Sequence, residues 1–420
     1  MNRRYVIKTM GLGLATIPFL SNESSALNHA VPKVENVSDE KFWRTFAERH
    51  YTVSSDFINL ENGYFGVQPN SVLKAYQANI EKVNRLSSKF MRQEFYQKYY
   101  PEIKKVLADI SGVSTEELLI TRNATEALNI LIQGLNLKKG DEVILQYHDY
   151  HSMIETFRML ENKVGITLRF VDVPLVPPSH EEIVDLYTQA VTDKTRCILV
   201  THLTHLTGQI MPVKAIGTFA RSKGIDLIVD AAHSFAQLDY KFQDLNADFV
   251  GVNLHKWFGN PLGAGLMYIK RDRIKDIQPL YGDIKKSEDD INKLGHYGTP
   301  ATPIVMTITE AGKFHKMVGI GQKEARLRYL KEYWTQRAKK LDRVSITTSL
   351  DTLQSCALSS FKIKGVEAED VVKQLDEKYS VFTVIRKLRK EVVVRVTPNL
   401  YNSTDDLDRL LEGIEYIARA

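Results

Sequence analysis

Ile228-Val229-Asp230-Ala231-Ala232-His233 and, further along the chain, Asn253-Leu254-His255-Lys256-Trp257-Phe258-Gly259 are the stretches that decide the fold. In each of them an apolar run leads to a charged side chain, Asp230 in the first and Lys256 in the second. In open parallel sheets ligands bind outside the carboxyl ends of the strands. The two stretches therefore predict strand ends that point at a ligand.

The segments around these two stretches alternate between strand patterns and helix patterns. Apolar runs predict strands at residues 118–121, 142–146, 167–171, 196–201, 226–230 and 266–269. Helical periodicity falls between them, at residues 124–135, 181–191 and 213–222. Strands separated by helices of this length indicate βαβ units and a mostly parallel sheet. The fold class predicted is α/β.

The last hundred or so residues have a different pattern. A long helix over about 321–341 precedes strand-like segments at 344–348, 357–364, 381–385 and 392–396, and a final helix covers 403–419. This order predicts a smaller α+β domain. The domain boundaries expected are residues 1–26 for a targeting segment, 27–65 for an N-terminal segment, 66–310 for the large domain and 311–420 for the small domain.

Lys256 and Asp230 are the residue types that hold an aldehyde cofactor with a protonated ring nitrogen. A lysine amine forms Schiff bases once its surroundings lower its pKa. A buried carboxylate can hold a pyridine nitrogen through a charge-assisted hydrogen bond. Two plainer interpretations remain open, a surface lysine for Lys256 and a helix N-cap for Asp230.

Two further motifs suggest anion binding. Thr121-Arg122-Asn123-Ala124-Thr125-Glu126 lies between a strand and a helix, and a helix N-terminus binds phosphate through its free N–H groups. A plain helix cap is the alternative. Arg395 lies inside the apolar run Val393 to Val396, where its fork would suit a substrate carboxylate or an internal acidic residue. Arg386 is a second candidate for the carboxylate.

The order of these motifs resembles the class V aminotransferase family of fold-type I pyridoxal 5′-phosphate (PLP) enzymes, and within it the isopenicillin N epimerase-like branch. The resemblance rests on the series Ala124-Thr125-Glu126, Tyr150-His151, Thr201-His202 to Gly208, Asp230 to His233, His255-Lys256, Gly298-Thr299, Arg395 and Tyr401-Asn402. It implies a large domain with a mostly parallel sheet flanked by helices, a smaller α+β C-terminal domain, and PLP as the cofactor.

The resemblance also implies roles for individual residues. Lys256 would carry PLP as a Schiff base, Asp230 would pair with the ring nitrogen and Tyr150 would stack on the ring. His233 would lie near the phenolic oxygen, and His205, at a position where asparagine is common, would lie near the ring. The phosphate would be held by Asn123, Ala124, Thr125 and His255, and Asn253 stands where a phosphate-binding serine is common. Thr299 would reach the phosphate of a neighbouring subunit, and Arg395 would bind the substrate carboxylate. Thr299 thereby implies a homodimer with shared active sites.

The family label places transamination of a small amino-acid-like substrate first among the expected reactions. Epimerisation and C–S bond cleavage by a lyase are the alternatives within the family. Cysteine desulfurases carry a persulfide-forming cysteine in the region that corresponds to residues 381–395, where this chain has none. Sulfur transfer by that route is therefore not expected. A non-catalytic exported binding protein with the same fold is the alternative of a different class.

Residues 1–26 predict export rather than a part of the fold. Arg3, Arg4 and Lys8 precede the apolar run Met10 to Leu20, and small residues follow at Ser24 to Ala26. This is the pattern of a signal peptide, and the paired arginines resemble the twin-arginine type. The protein is expected to be periplasmic or secreted, with an ordinary secretory signal or a retained membrane anchor as alternatives.

Composition and residue spacing argue against several other kinds of partner and site. The net charge is +5 without a long basic run, so nucleic acid is not an expected partner. No apolar stretch is long enough for a membrane span in the mature chain. The pairs His148/His151 and His202/His205 have no clear third and fourth ligand nearby, so no metal is expected. Cys197 and Cys356 are expected to be buried free thiols, with a disulfide left open.

Overall fold

A computed structural model of the protein describes residues 36–177, 179–282 and 285–420. The proposed signal peptide, residues 1–26, lies outside the described residues, as does the first part of the 27–65 segment. Among the residues described, no helix is long and apolar enough to cross a membrane.

The chain alternates between helices and strands over most of its length. The helices are α1 (Glu40–His50), α2 (Asn70–Phe90), α3 (Tyr100–Ser111), α4 (Ala124–Gly134), α5 (His151–Val164), α6 (His180–Ala190), α7 (Val213–Ser222), α8 (Thr302–Val318), α9 (Ile320–Ala338), α10 (Ala368–Tyr379) and α11 (Thr404–Arg419). The strands are β1 (Ile58–Asn59), β2 (Leu118–Thr121), β3 (Glu142–Gln146), β4 (Thr167–Val171), β5 (Thr195–Thr201), β6 (Asp226–Asp230), β7 (Phe249–Asn253), β8 (Gly265–Ile269), β9 (Val344–Ile346), β10 (Ser359–Ile363), β11 (Val381–Phe382), β12 (Val384–Lys387) and β13 (Val392–Val396).

Seven strands form the central sheet, in the order β2-β8-β7-β6-β5-β3-β4. Strand β8 pairs antiparallel with β2 and β7, whereas the neighbouring pairs from β7 to β4 are parallel. In β5, Ile198 and Val200 join the apolar cluster on one face of the sheet, and Cys197 and Leu199 join the cluster on the other. Strands covered on both faces are typical of parallel α/β sheets. The α/β fold class is confirmed.

The C-terminal part forms a second, smaller core. An antiparallel sheet in the order β12-β13-β10-β9 packs its apolar side chains with those of α9, α10 and α11, among them Trp334 and Ile414. Strand β1 pairs in parallel with β11, so the N-terminal segment is joined to this part. The expected domain limit at residue 310 falls inside α8, and Phe314 in the same helix belongs to the large core.

The helical path between Asn70 and Ser111 is not uniform. Helix α2 runs to Phe90 with a non-helical Ser87, a π-helical segment covers Met91–Tyr99, and α3 begins at Tyr100. Pro101 lies in the first turn of α3 and has no N–H to donate to the π-helical segment before it. The proline thus marks the start of α3, while the residues before it continue the helical path with wider turns.

Candidate active site

A cavity of about 770 Å³ opens at the carboxyl ends of the parallel strands. Its walls come from the residues that follow β2, β3, β5, β6 and β7, with β12 and β13 of the small domain on the far side. The size is that of a pocket for a small molecule. Of the residues proposed from sequence, those lining this cavity are Asn123, Ala124, Thr125, Tyr150, His205, Asp230, His233, Asn253, His255, Lys256, Arg386 and Arg395.

Lys256 projects its amine into this cavity from the loop after β7. Its Nζ lies 2.8 Å from Nε2 of His233. Burial lowers the pKa of Lys256 to about 7, with Asp230 acting in the opposite direction. A lysine with such a pKa is substantially unprotonated at neutral pH, which is the form that attacks an aldehyde. The environment is not that of a surface lysine.

The loop that carries Lys256 is held against the N-terminal segment. Gly66 donates its backbone N–H to the carbonyl of His255 at 3.0 Å. A Cβ at Gly66 would lie 2.5 Å from the carbonyl oxygen of Lys256, so a side chain there would push the two backbones apart. Gly66 was not among the site residues predicted from the sequence, although a glycine between Phe65 and Val67 was the available signal.

Asp230 ends β6 with its side chain almost completely buried. One carboxylate oxygen accepts a hydrogen bond from the backbone N–H of Ala232 at 2.9 Å. Burial raises the pKa of this carboxyl group. A cationic nitrogen placed against it would favour the ionised form, because an opposite charge stabilises a buried carboxylate.

The N-terminus of α4 forms another wall of the cavity. Asn123 caps the helix by accepting the N–H of Glu126 at 2.8 Å, so the plain helix-cap interpretation holds for this residue. Asn253 accepts the N–H of Ala124 at 2.8 Å and thereby ties the helix to the end of β7. Thr125 is exposed at the cavity, where its hydroxyl and the helix dipole suit an anion.

Three aromatic and imidazole rings line the cavity between Asp230 and the small domain. Tyr150 packs edge-on against His205 with centroids 5.3 Å apart, and His205 lies parallel to His233 at 6.5 Å. Burial lowers the pKa of both histidines well below the usual value. Nδ1 of each is buried and has no hydrogen-bond partner among the described residues, so each imidazole has an atom free for a ligand.

Arg395 and Arg386 meet an acidic residue that was not among the site residues predicted from the sequence. Glu61 forms ion pairs with both guanidinium groups, at 3.1 Å to Nη2 of Arg386. The structure therefore gives Arg395 the internal acidic partner that was the alternative to a substrate carboxylate. Glu61 follows the short strand β1, and no local pattern in the sequence indicates its pairing with the two arginines.

Thr299 is the proposed site residue that does not line the cavity. It is exposed on the segment between Gly295 and α8. An exposed position is compatible with its proposed role at the cavity of another subunit.

These residues fit PLP. The Lys256 amine matches its aldehyde, buried Asp230 matches a protonated ring nitrogen, and the N-terminus of α4 with Thr125 matches its phosphate. The orphaned Nδ1 atoms of His205 and His233 match the polar substituents of the ring. Within the described residues, no group of three or more His, Cys, Asp or Glu side chains is arranged to hold a metal ion.

Comparison with known proteins agrees with this site. Residues 67–410 match the profile of the family described as Aminotransferase class-V. The chain belongs to the class V aminotransferase family. The family resemblance predicted from the motifs is thus confirmed, and with it the fold class and PLP as the cofactor.

Relatives of this class V enzyme differ in their named activities. A probable cysteine desulfurase from Pyrococcus abyssi is 26% identical over 400 residues, covering 88% of this chain and 96% of the relative. The isopenicillin N epimerase of Streptomyces clavuligerus is 23% identical over 375 residues, covering 85% and 94%.

Solved structures show the same fold. The apo cysteine desulfurase from Thermococcus onnurineus aligns with a TM-score of 0.76 at 21% identity, over 89% of this chain and 98% of that one. A cystine C–S lyase in complex with its product cysteine persulfide aligns with a TM-score of 0.77 at 22% identity, over 86% and 98%.

Proposed function

We propose that this class V enzyme is a C–S lyase that cleaves the bond between the β-carbon and sulfur of a sulfur-containing amino acid. The observation that carries the proposal is the relation to cysteine desulfurases over nearly the whole chain, together with a cavity that holds both Lys256 and Asp230. Transamination, the first expectation from the sequence, is named for none of the relatives described above. The alternative reaction of the sequence analysis therefore replaces it.

Bound PLP supplies an electron sink that makes the Cα proton of an attached amino acid acidic. Lys256 would hold the cofactor's aldehyde and, with its amine free, would be the base that accepts that proton; its lowered pKa suits this task. Asp230 would stabilise the positive charge of the ring nitrogen. His233 contacts Nζ of Lys256 and orients the amine. Loss of that proton would allow the C–S bond to break with both of its electrons leaving on sulfur.

The two cysteines support direct elimination over a persulfide carried by the enzyme. Cys197 and Cys356 are both free and completely buried, and neither lines the cavity. Burial raises the pKa of Cys356 to about 12 and that of Cys197 well above its usual value. Because the thiolate is the reactive form, neither thiol is suited to attack a substrate sulfur. The sulfur product would leave in solution as a thiol, sulfide or persulfide.

Epimerisation is the second candidate, because one relative is named as an epimerase. It requires a proton donor on the face of Cα opposite Lys256. Tyr150 and His205 line the same cavity and are the candidate donors. The low pKa that burial imposes on His205 makes its imidazole a neutral group, which is a weak acid.

The test uses purified, PLP-loaded protein with L-cysteine, L-cystine and S-alkyl cysteines. A lyase releases a 2-oxo acid, ammonia and a sulfur product in equal amounts, and Lys256→Ala abolishes all three. Amino transfer to an added 2-oxo acid without sulfur release would establish transamination. Inversion of the substrate without release of ammonia would establish epimerisation.

We also propose a homodimer and export from the cytoplasm. In the dimer, Thr299 of one subunit would reach the phosphate site of the other, which its exposed position allows. Analytical ultracentrifugation measures whether the protein is a dimer. The variant Thr299→Ala is then tested for weaker retention of PLP. Fractionation of cells that express the full chain measures whether the protein is exported. The variant Arg3→Lys/Arg4→Lys should reduce export if the paired arginines are a twin-arginine signal.

A further inference from the structure

Glu61 lies in the middle of the cluster that was expected to bind the substrate carboxylate. It is almost completely buried, and its Oε1 accepts from Nη2 of Arg395 and from Nη2 of Arg386. Its Oε2 accepts from the hydroxyl of Thr397 at 3.3 Å. A substrate carboxylate would need the same guanidinium face of Arg395, so it must compete with Glu61 for it.

Arg395 is built in tightly and has little freedom to leave Glu61. It is 1% exposed, and its Nη1 donates to the carbonyl of His205 at 2.5 Å. A Cβ at Gly63 would lie 2.5 Å from Nη2, so only a glycine allows the guanidinium to take this position. The Nε–H of Arg395 is buried and has no partner among the described residues. The guanidinium is therefore fixed, and an anion that binds its Nη2 must take the place of the Glu61 carboxylate there.

The charges of the cluster are unbalanced. Two guanidinium cations face one carboxylate, which leaves one net positive charge in a largely buried setting. One further carboxylate would balance it, since a buried charge is stable only when it is paired. Arg386, partly exposed at the cavity, and Thr397 can both keep their bonds to Glu61 while Arg395 takes a new anion.

We propose that Glu61 is a specificity-determining residue: it holds Arg395 in the free enzyme and yields it to the carboxylate of a monocarboxylic amino acid, while remaining bound to Arg386 and Thr397. The proposal rests on the proposed function for the identity of the substrate. A single carboxylate fits because the cluster lacks a single negative charge. A simple amine would leave Glu61 in place, and a dicarboxylic amino acid would bring one charge too many.

The experiment measures binding of a carboxylate that cannot react. The probe is 3-sulfanylpropanoate, which has the carboxylate and thiol of cysteine without the amine, and 3-sulfanylpropanamide is its uncharged counterpart. Calorimetric titration of the PLP-loaded wild type is compared with Glu61→Gln. Removing the competing charge should tighten binding of the carboxylate by about tenfold and leave the amide unchanged.

Glu324→Gln is the matched control, because Glu324 pairs with Arg328 outside the cavity. It should bind both probes as the wild type does. Equal or weaker binding of 3-sulfanylpropanoate by folded, PLP-loaded Glu61→Gln would overturn the proposal. Glu61→Asp, which keeps the charge but withdraws it by one methylene, should show a smaller gain than Glu61→Gln.

A crystal structure of the wild type with 3-sulfanylpropanoate decides the same point if both variants fail to fold. The proposal requires the probe carboxylate on Arg395 and Glu61 on Arg386, and a probe held elsewhere with the Glu61–Arg395 pair intact would contradict it. Because the probe has no amine, this result is independent of the lyase reaction. A protein that shows the Glu61 effect but releases no sulfur would refute the proposed function alone.

Discussion

The amine of Lys256 and Nε2 of His233 are 2.8 Å apart at the base of the cavity. His233 is buried and Lys256 is partly buried, and burial lowers the pKa of each. Two cations at this distance would repel each other strongly, so at least one of the pair is neutral. The imidazole is the more weakly basic of the two, and its Nε2 can accept a hydrogen bond from the lysine. This contact keeps Lys256 in place for reaction with the cofactor.

Capture of PLP by the apoenzyme should therefore accelerate as the pH rises through about 7. The pKa of Lys256 is about 7, and the neutral amine that attacks the aldehyde replaces the ammonium above that value. Stopped-flow absorbance after mixing apoenzyme with PLP measures the rate. The measurements run from about pH 5.5 to about pH 9, so that they cover both sides of the lysine pKa. A rate that rises only near the ordinary lysine pKa would contradict the buried environment. Lys256→Arg provides the control, since it cannot form the bond.

The variant Asp230→Asn should separate the binding of the cofactor from turnover. Asp230→Asn keeps the shape of the side chain but loses the charge that stabilises a protonated ring nitrogen. We expect PLP to remain bound and kcat to fall by about two orders of magnitude or more. Absorbance spectra give the bound cofactor, and release of the 2-oxo acid gives kcat. Near-normal turnover in this variant would mean that Asp230 is only a structural residue at the end of β6.

The sequence predicted the parts of this site that follow strands. Asp230 and Lys256 each end an apolar run, and parallel strands bring their carboxyl ends together at one edge of the sheet. Asn123 and Thr125 follow β2 in the same way. Strand position is a local signal, so it could be used without knowledge of the tertiary structure.

Glu61 could not be found by the same reasoning. It is 334 residues away from Arg395 along the chain, and the two meet because β1 pairs with β11 and Glu61 forms a bridge with Thr397. Nothing local distinguishes this acidic residue from others in loops. The same applies to the π-helical turns of Met91–Tyr99.

Gly208, in the loop after β5, should be essential for stability. Its φ is +76°, and a Cβ there would lie 2.2 Å from the carbonyl oxygen of Leu358. Gly208→Ala should therefore destabilise the protein by about 2 kcal/mol or more, because both the backbone and its neighbour must move. Thermal and urea unfolding measure the effect. Gly282→Ala is the control, since Gly282 is exposed with open space around its Cβ, and it should unfold as the wild type does.

The double variant Cys197→Ala/Cys356→Ala should retain C–S lyase activity. Both thiols are buried away from the cavity, so direct elimination does not use them, whereas a persulfide relay within one chain would require one. Each substitution removes a small buried group and should cost about 1 kcal/mol of stability. Release of pyruvate and of sulfide from L-cysteine, normalised to the PLP content, gives the activity. Loss of sulfur release with PLP binding and unfolding temperature preserved would show that a cysteine carries sulfur and would rule out the direct route.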